Sequence, residues 1–443
     1  MKKWKLFYLV MLGSVLALGQ LERVAINSRV AFYIHDVLIV GWLVIGLMGG
    51  GWRKIREWWG ERKLLFKRRG VGLLLGLGLV AVIGLGWLTA VGQGNFAWAA
   101  ILYTGRYVVY LLFTLSLVIW RPLEVREWRI VLMVFMVLVI GLGFGQYWFW
   151  SDTRDLLWLG FDDHYLRMIG AVLDPNFLGI ALGLMLIWLV WELRREGRGC
   201  LRQLGKIVLA GAMFLGLILT YSRSAYLVFL TGIGLSFGWW WLEERGKFLG
   251  ENEKKIKRRK KLGWLRGVGV VVGIVGLIVV ILMPKSRNDD SVNLLRTNSI
   301  SVRLIEAREM LGSFSWQNWV VGRGLFVAPK YEKNWWSEEE LRELEEEELD
   351  LVFLTQGRKV TAKFGDNFFL GQLSFFGVGG GIIVGYFYFK LGERWWRKRM
   401  GLMLVLVISW LVGAQFVNAF YEPMLVVMMG LVVGSEEDEW RDK

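Results

Sequence analysis

The chain has 443 residues, of which 55% are hydrophobic, with 26 Trp, 55 Gly and a mean hydropathy of +0.43. That composition excludes a large soluble core and points to a polytopic membrane protein. The net charge of +15 does not mark a nucleic-acid partner, because the basic residues fall in short clusters between apolar runs and not on one folded face. Cys200 is the only cysteine, so no intrachain disulfide forms, and two histidines, His35 and His164, are too few for a histidine-rich metal centre.

Lys2, Lys3 and Lys5 precede an apolar run as in a signal peptide, but no small-x-small cleavage site follows, and the run reads as a retained first helix. Apolar runs suited to crossing a bilayer lie at about residues 6–20, 30–49, 71–91, 98–120, 130–149, 175–193, 205–221, 224–242, 267–283, 367–389, 400–418 and 424–434. The pattern predicts an all-α protein of about 12 transmembrane helices with one large extracytoplasmic loop, 284–366, between the ninth and tenth. The last run is too short to cross alone and is expected to belong to a helix that begins around Asn418 or is interrupted at Pro423. All five prolines fall at predicted helix ends or in loops.

Lysine and arginine counts orient the chain, because cytoplasmic loops carry the excess. Alternate loops beginning with the N-terminus hold 36 basic residues, and the opposing short loops hold only Arg23, Arg29, Arg154, Arg167 and Arg223. Both termini are therefore expected in the cytoplasm, with Arg223 on the outer side of a bacterial cytoplasmic (inner) membrane.

Thr220-Tyr221-Ser222-Arg223-Ser224 stands between two apolar runs. The preceding one, Ile207 to Thr220, gives a helix of only about 21 Å at 1.5 Å per residue, against a hydrocarbon layer of about 30 Å. Arg223 is thus expected below the membrane surface, where a guanidinium costs about 2.5 kcal/mol or more unless it meets water or an anion. The competing reading is an arginine snorkelling from a helix end.

No Walker loop, GxSxG elbow, HExxH or CxxC pairing is present, so ATP hydrolysis is not supported. The predicted outer face instead collects Arg223, Arg106, Arg303 and Arg323, and paired guanidinium forks suit a pyrophosphate. For Arg303 the structural alternative is a pair with Glu306, and for Arg106 a pair with Asp36. Asp174-Pro175-Asn176 reads as a helix cap, with Asn176 able to line the cavity. Asp366-Asn367 opens the tenth span, where a carboxylate serves as a cap or accepts a proton from an incoming hydroxyl. The acidic stretch Glu338 to Glu348 reads as a solvated surface helix beside interfacial Trp335 and Trp336.

Four segments in order, Arg167-Met-Ile-Gly170 with Asp174-Pro175-Asn176, Thr220-Tyr-Ser-Arg223-Ser-Ala225, Arg303 with Glu306-Ala307 leading to Gly322-Arg-Gly324, and Asp366-Asn367-Phe-Phe-Leu370 with Gly377, resemble the O-antigen ligase and O-antigen polymerase superfamily of bacterial envelope proteins. The resemblance covers roughly residues 165–390 as a ligase-like core, flanked by N-terminal helices in 1–164 and C-terminal helices with a cytoplasmic tail in 391–443. It implies polysaccharide biosynthesis by transfer of a glycan from an undecaprenyl-pyrophosphate carrier to a glycan or glycolipid acceptor, without nucleotide, metal or other cofactor. Arg223 and Arg303 are then the phosphate arginines and Asp366 the base, with Arg106, Ser222, Asn176, Arg323 and Asn367 around the substrate. Ligases usually carry a histidine where Asp366 stands, so a polymerase is equally compatible. The alternatives are a lipid-linked polysaccharide flippase and a metal-dependent lipid-linked glycosyltransferase, for which only Glu22 stands in the first outer loop.

Overall fold

The computed structural model describes residues 2–25, 31–61, 69–92, 98–159, 164–195, 200–248, 307–308, 310–327, 367–397, 400–417 and 422–441. These are mostly helical: α1 (Lys2–Ala17), α2 (Ile34–Gly46), α3 (Trp52–Glu61), α4 (Arg69–Gly92), α5 (Trp98–Trp120), α6 (Val125–Phe149), α7 (Pro175–Arg195), α8 (Cys200–Leu219), α9 (Arg223–Phe248), α10 (Trp316–Val321), α11 (Phe368–Arg397), α12 (Gly401–Gly413) and α13 (Pro423–Arg441). A two-stranded antiparallel sheet, β1 (Arg23–Ala25) with β2 (Ala31–Tyr33), pairs Val24 with Phe32. Among the described residues six helices are long and apolar enough to cross a bilayer, Ile34–Glu57, Ala100–Trp120, Val125–Phe149, Pro175–Arg195, Arg223–Glu243 and Phe368–Arg397. The protein is a helical membrane protein.

The expected ninth span, 267–283, lies outside the described residues, as does most of the loop 284–366. At the last helix the structure differs from the sequence-based boundary. Pro423 begins α13 and does not interrupt it, because Pro is favoured at the first helical position, where no N–H is needed, and Glu422 caps the turn by accepting from Leu425 N at 2.8 Å.

Contacts divide the chain into two units that do not follow sequence order: 1–62, 108–297 and 390–443 form the first, and 63–107 with 298–389 the second. The first is centred on α7, whose apolar window is 78% buried. Helices in lipid gain little from hydrophobic exclusion and associate through close packing, so small residues mark their contacts. A Cβ at Gly179 of α7 would stand 2.6 Å from the Ala225 methyl of α9, so glycine sets how closely those two helices approach.

Each end of this unit is closed by charge. At one end the buried Glu192 of α7 meets Arg129 Nε of α6 at 2.7 Å, Arg195 at 3.4 Å and Lys206 of α8 at 3.7 Å. Arg195 also forms two 2.7 Å bonds to Glu436 of α13, which ties four helices to one cluster. At the other end His35 lies between Glu22 and the Tyr110 hydroxyl, and Tyr110 donates to Asp36. Asp36 Oδ2 accepts from Tyr33 N at 2.9 Å, so the same carboxylate fixes the start of α2.

In the second unit α10 packs on α4, and the Gly322-Arg323-Gly324 turn lies against a kink in α11 at Gly377. Gly377 adopts φ 59°, where a Cβ would stand 2.5 Å from the Val320 carbonyl. Trp87 donates its indole N–H to the Leu325 carbonyl at 3.1 Å and fastens the turn to α4.

Candidate functional site

The site is built where α8 ends and α9 begins. Thr220 Oγ1 donates back to the Leu217 carbonyl at 2.7 Å, and Tyr221 turns the chain through a left-handed conformation, φ 49°. Ser222 then caps α9, its Oγ accepting from Ala225 N at 3.4 Å and its carbonyl from Tyr226 N at 3.1 Å. Arg223 is the first helical residue. The sequence shows a cation between two apolar runs, and the structure adds that the turn carrying it is capped, with Thr220, Ser222 and Ser224 each 5% exposed or less and Tyr221 half-buried.

The backbone of this turn is held from the other side. A helix C-terminus leaves carbonyls without intrahelical donors, and they carry partial negative charge. The buried Arg167 supplies both remedies. Its Nε donates to the Thr220 carbonyl at 3.0 Å and its Nη2 to the Tyr221 carbonyl at 3.4 Å, while Met168 N donates to Leu219 O at 2.9 Å. Tyr226 Oη adds a donor to the Ile218 carbonyl at 2.7 Å. Gln146 of α6 holds the Arg167 segment, accepting from Ile169 N and Gly170 N at 2.9 and 3.1 Å.

Asn176 joins the same site. Ser222 Oγ donates to Asn176 Oδ1 at 2.9 Å, and the Ser224 hydroxyl lies 3.0 Å from Ser222 Oγ. Asp174 has the expected capping role, its Oδ1 accepting from Asn176 N at 2.6 Å and Phe177 N at 3.0 Å.

Glu422, which sequence reasoning missed, is coupled to this group through Asp174. Burial pushes its carboxyl up to about 7, and the Asp174 carboxylate adds to the push, while the Leu425 and Met424 backbone N–H groups oppose it. A signal was present in the sequence. Glu422-Pro423 opens a helix in the same way as Asp174-Pro175, and both acid–proline pairs start helices of this unit.

The helix that precedes Arg223 is longer than the apolar run Ile207 to Thr220. The preceding helix does not begin after Lys206 but at Cys200, so its 20 residues reach about 30 Å. Lys206, just before Ile207, lies within α8, buried beside Glu192. Helix length therefore does not put Arg223 below the membrane surface.

Of the other expected site residues, Asp366 and Arg303 lie outside the described residues. Asn367, Arg323 and Arg106 fall in the second unit. Asn367 caps α11, its Oδ1 accepting from Leu370 N at 3.1 Å. Arg323 is 2% exposed, donates through Nη2 to the Ser313 carbonyl and hydroxyl at 2.5 and 2.8 Å, and lies 4.8 Å over the Phe314 ring. It braces the Gly322–Gly324 turn. The Arg106 guanidinium stands 5.4 Å from the Tyr103 ring centre on α5. Thus the structure brings Arg223, Ser222 and Asn176 together in one unit, and describes the second-unit candidates separately.

No family model matches this chain, and no curated protein matches it in sequence.

Proposed function

We propose that the protein is a membrane glycosyltransferase that moves a glycan from an undecaprenyl-pyrophosphate carrier to an acceptor sugar, at the outer face of the cytoplasmic membrane. The observation that carries this reading is the grouping, in one unit, of Arg223 at the start of α9, the Asn176–Ser222 hydrogen bond, and the buried carboxyl of Glu422 at the start of α13.

A guanidinium at a helix N-terminus suits a pyrophosphate, because fork donors and the positive end of the helix act on the same oxygens. In the reaction the acceptor hydroxyl oxygen bonds to the anomeric carbon. The bond from that carbon to the pyrophosphate oxygen breaks, and its electron pair leaves on the phosphate held by Arg223. The hydroxyl proton passes to a carboxylate. Glu422 is suited to that role, since a base is most effective with a pKa near the working pH. Asp366 is the other carboxylate for it, placed by the sequence motif alone.

Purified protein in liposomes, supplied with lipid-linked glycan and acceptor, is expected to release free undecaprenyl pyrophosphate. Return of the donor chemically intact in the opposite leaflet would identify a flippase and overturn the enzyme.

A further inference from the structure

A hollow with a largely apolar lining and two lysines lies at the end of the first unit where α1 begins and α2 and α5 finish. Its walls come from the first turns of α1, the last turn of α2, the wide helical turn Leu47–Gly51, the start of α3 and the end of α5. The cavity holds about 230 Å³. That is room for several waters at roughly 30 Å³ each, and less than a typical drug-sized pocket of about 300 Å³ or more.

Glycines open it. Gly50, at φ 90°, breaks the helix so that α3 departs in a new direction, and Lys54 on its first turn donates to the Trp120 carbonyl at 2.8 Å. A Cβ on Gly46 would stand 1.9 Å from the Trp120 ring, so the indole can lie there only against glycine. Trp4, Trp42 and Trp120 make a continuous aromatic wall, with successive ring centres 6.1 and 6.3 Å apart.

Lys5 and Lys54 both line the hollow and repel one another. Among the described residues neither lysine meets a carboxylate. Trp120 is 6% exposed, and its indole N–H has no hydrogen-bond partner. That N–H is sealed within the wall, and the two ammonium groups line the hollow without an anionic acceptor among the described residues. Tryptophan rings alone would suit a cation, but paired lysines repel one and reverse that preference.

We infer that this hollow binds the phosphate of a membrane lipid headgroup. Its setting favours a lipid over a soluble phosphate. The segment Trp52-Arg53-Lys54-Ile55-Arg56 mixes basic and apolar residues as interfacial helices do, and Met48 and Trp52 beside the cavity are 84% and 61% exposed, giving acyl chains an apolar surface next to the phosphate.

The test uses purified full-length protein in a neutral detergent, titrated calorimetrically with dioctanoyl phosphatidylglycerol, dioctanoylglycerol and inorganic phosphate. A saturable site is expected for the phospholipid and none for dioctanoylglycerol. Lys5→Gln, which leaves the Lys54–Trp120 bond intact, should weaken phospholipid binding about tenfold, the loss of one charge-assisted bond. Lys54→Gln should weaken it by a similar factor. Unchanged binding in both variants would overturn the site, and inorganic phosphate binding as tightly as the lipid would assign the hollow to a soluble anion instead. No arm depends on glycan transfer, so failure here is distinguishable from failure of the enzyme.

Discussion

The Ser222 hydroxyl donates to the side-chain carbonyl of Asn176 across 2.9 Å, joining the cap of α9 to the first turn of α7. Both residues flank helix starts, Asn176 one position after Pro175 and Ser222 one before Arg223. Two helix N-termini are thereby held side by side, each with backbone N–H groups directed to the same end of the unit. Buried hydroxyl and amide groups are costly unless paired, so this bond also fixes the orientation of the turn that carries Arg223.

Replacing Arg223 tests the leaving-group role. Arg223→Ala should reduce transfer by roughly 10²- to 10³-fold, as for loss of one oxyanion donor. Arg223→Lys should fall between, since a point charge lacks the fork. Melting temperature in detergent, measured alongside, separates loss of the phosphate contact from loss of the fold. Full activity in Arg223→Ala would remove the phosphate assignment.

Glu422 predicts a pH dependence with a definite sign. Its folded value of about 7 lies above the 4.5 of the unfolded chain. The folded state therefore holds the proton more tightly, and stability is greatest below 4.5 and falls as pH rises through 7. The full penalty above that is about 3 kcal/mol. Glu422→Gln keeps an oxygen for Leu425 N and removes the ionisation, so its stability gain over the parent should be absent at pH 4.5 and largest at pH 8. Thermal unfolding across that range checks it. If Glu422 is also the base, transfer by the parent should rise through pH 7 and Glu422→Gln should lose that limb, whereas Asp366→Asn should retain it.

Arg167 acts on the site through the backbone. Arg167→Ala leaves the Thr220 and Tyr221 carbonyls without their buried donors, at a cost of about 1.5–3 kcal/mol for the loss of a hydrogen bond to a charged group. Arg167→Lys should recover only part, since one ammonium does not reproduce two forked contacts. Denaturant unfolding of the two variants gives the comparison, and equal stability of Arg167→Ala and the parent would refute the clamp.

Gly377 and Gly381 lie one helical turn apart on α11 and should respond oppositely to alanine. At Gly377 the left-handed backbone costs about 1–3 kcal/mol for a non-glycine residue, and the new methyl group would meet the Val320 carbonyl. At Gly381 nothing lies within 4 Å, and Ala should be neutral or stabilising by up to about 1 kcal/mol. Thermal stability of the two single variants reads this directly.

Much of the membrane architecture was legible from residue order alone. Long apolar runs separated by basic clusters predict helices across lipid, and six described helices are long and apolar enough to cross it, as expected where a chain segment must satisfy its own backbone hydrogen bonds. The Asp174 cap and the polar turn before Arg223 were visible for a similar reason: a helix end needs local donors and acceptors, and local needs are met by nearby residues.

What the sequence could not supply was pairing between distant segments. Lys206 looks like a membrane boundary until Glu192 of the neighbouring helix is seen to neutralise it. Arg323 reads as a phosphate ligand from its sequence setting, and only the fold shows Ser313 and Phe314 beside it. Glu422 lies 248 positions from Asp174 in the chain, and only packing brings the two carboxyls within electrostatic range. Charge type and helix-forming pattern belong to the chain itself, whereas the energy of a buried charge depends on what the fold sets beside it.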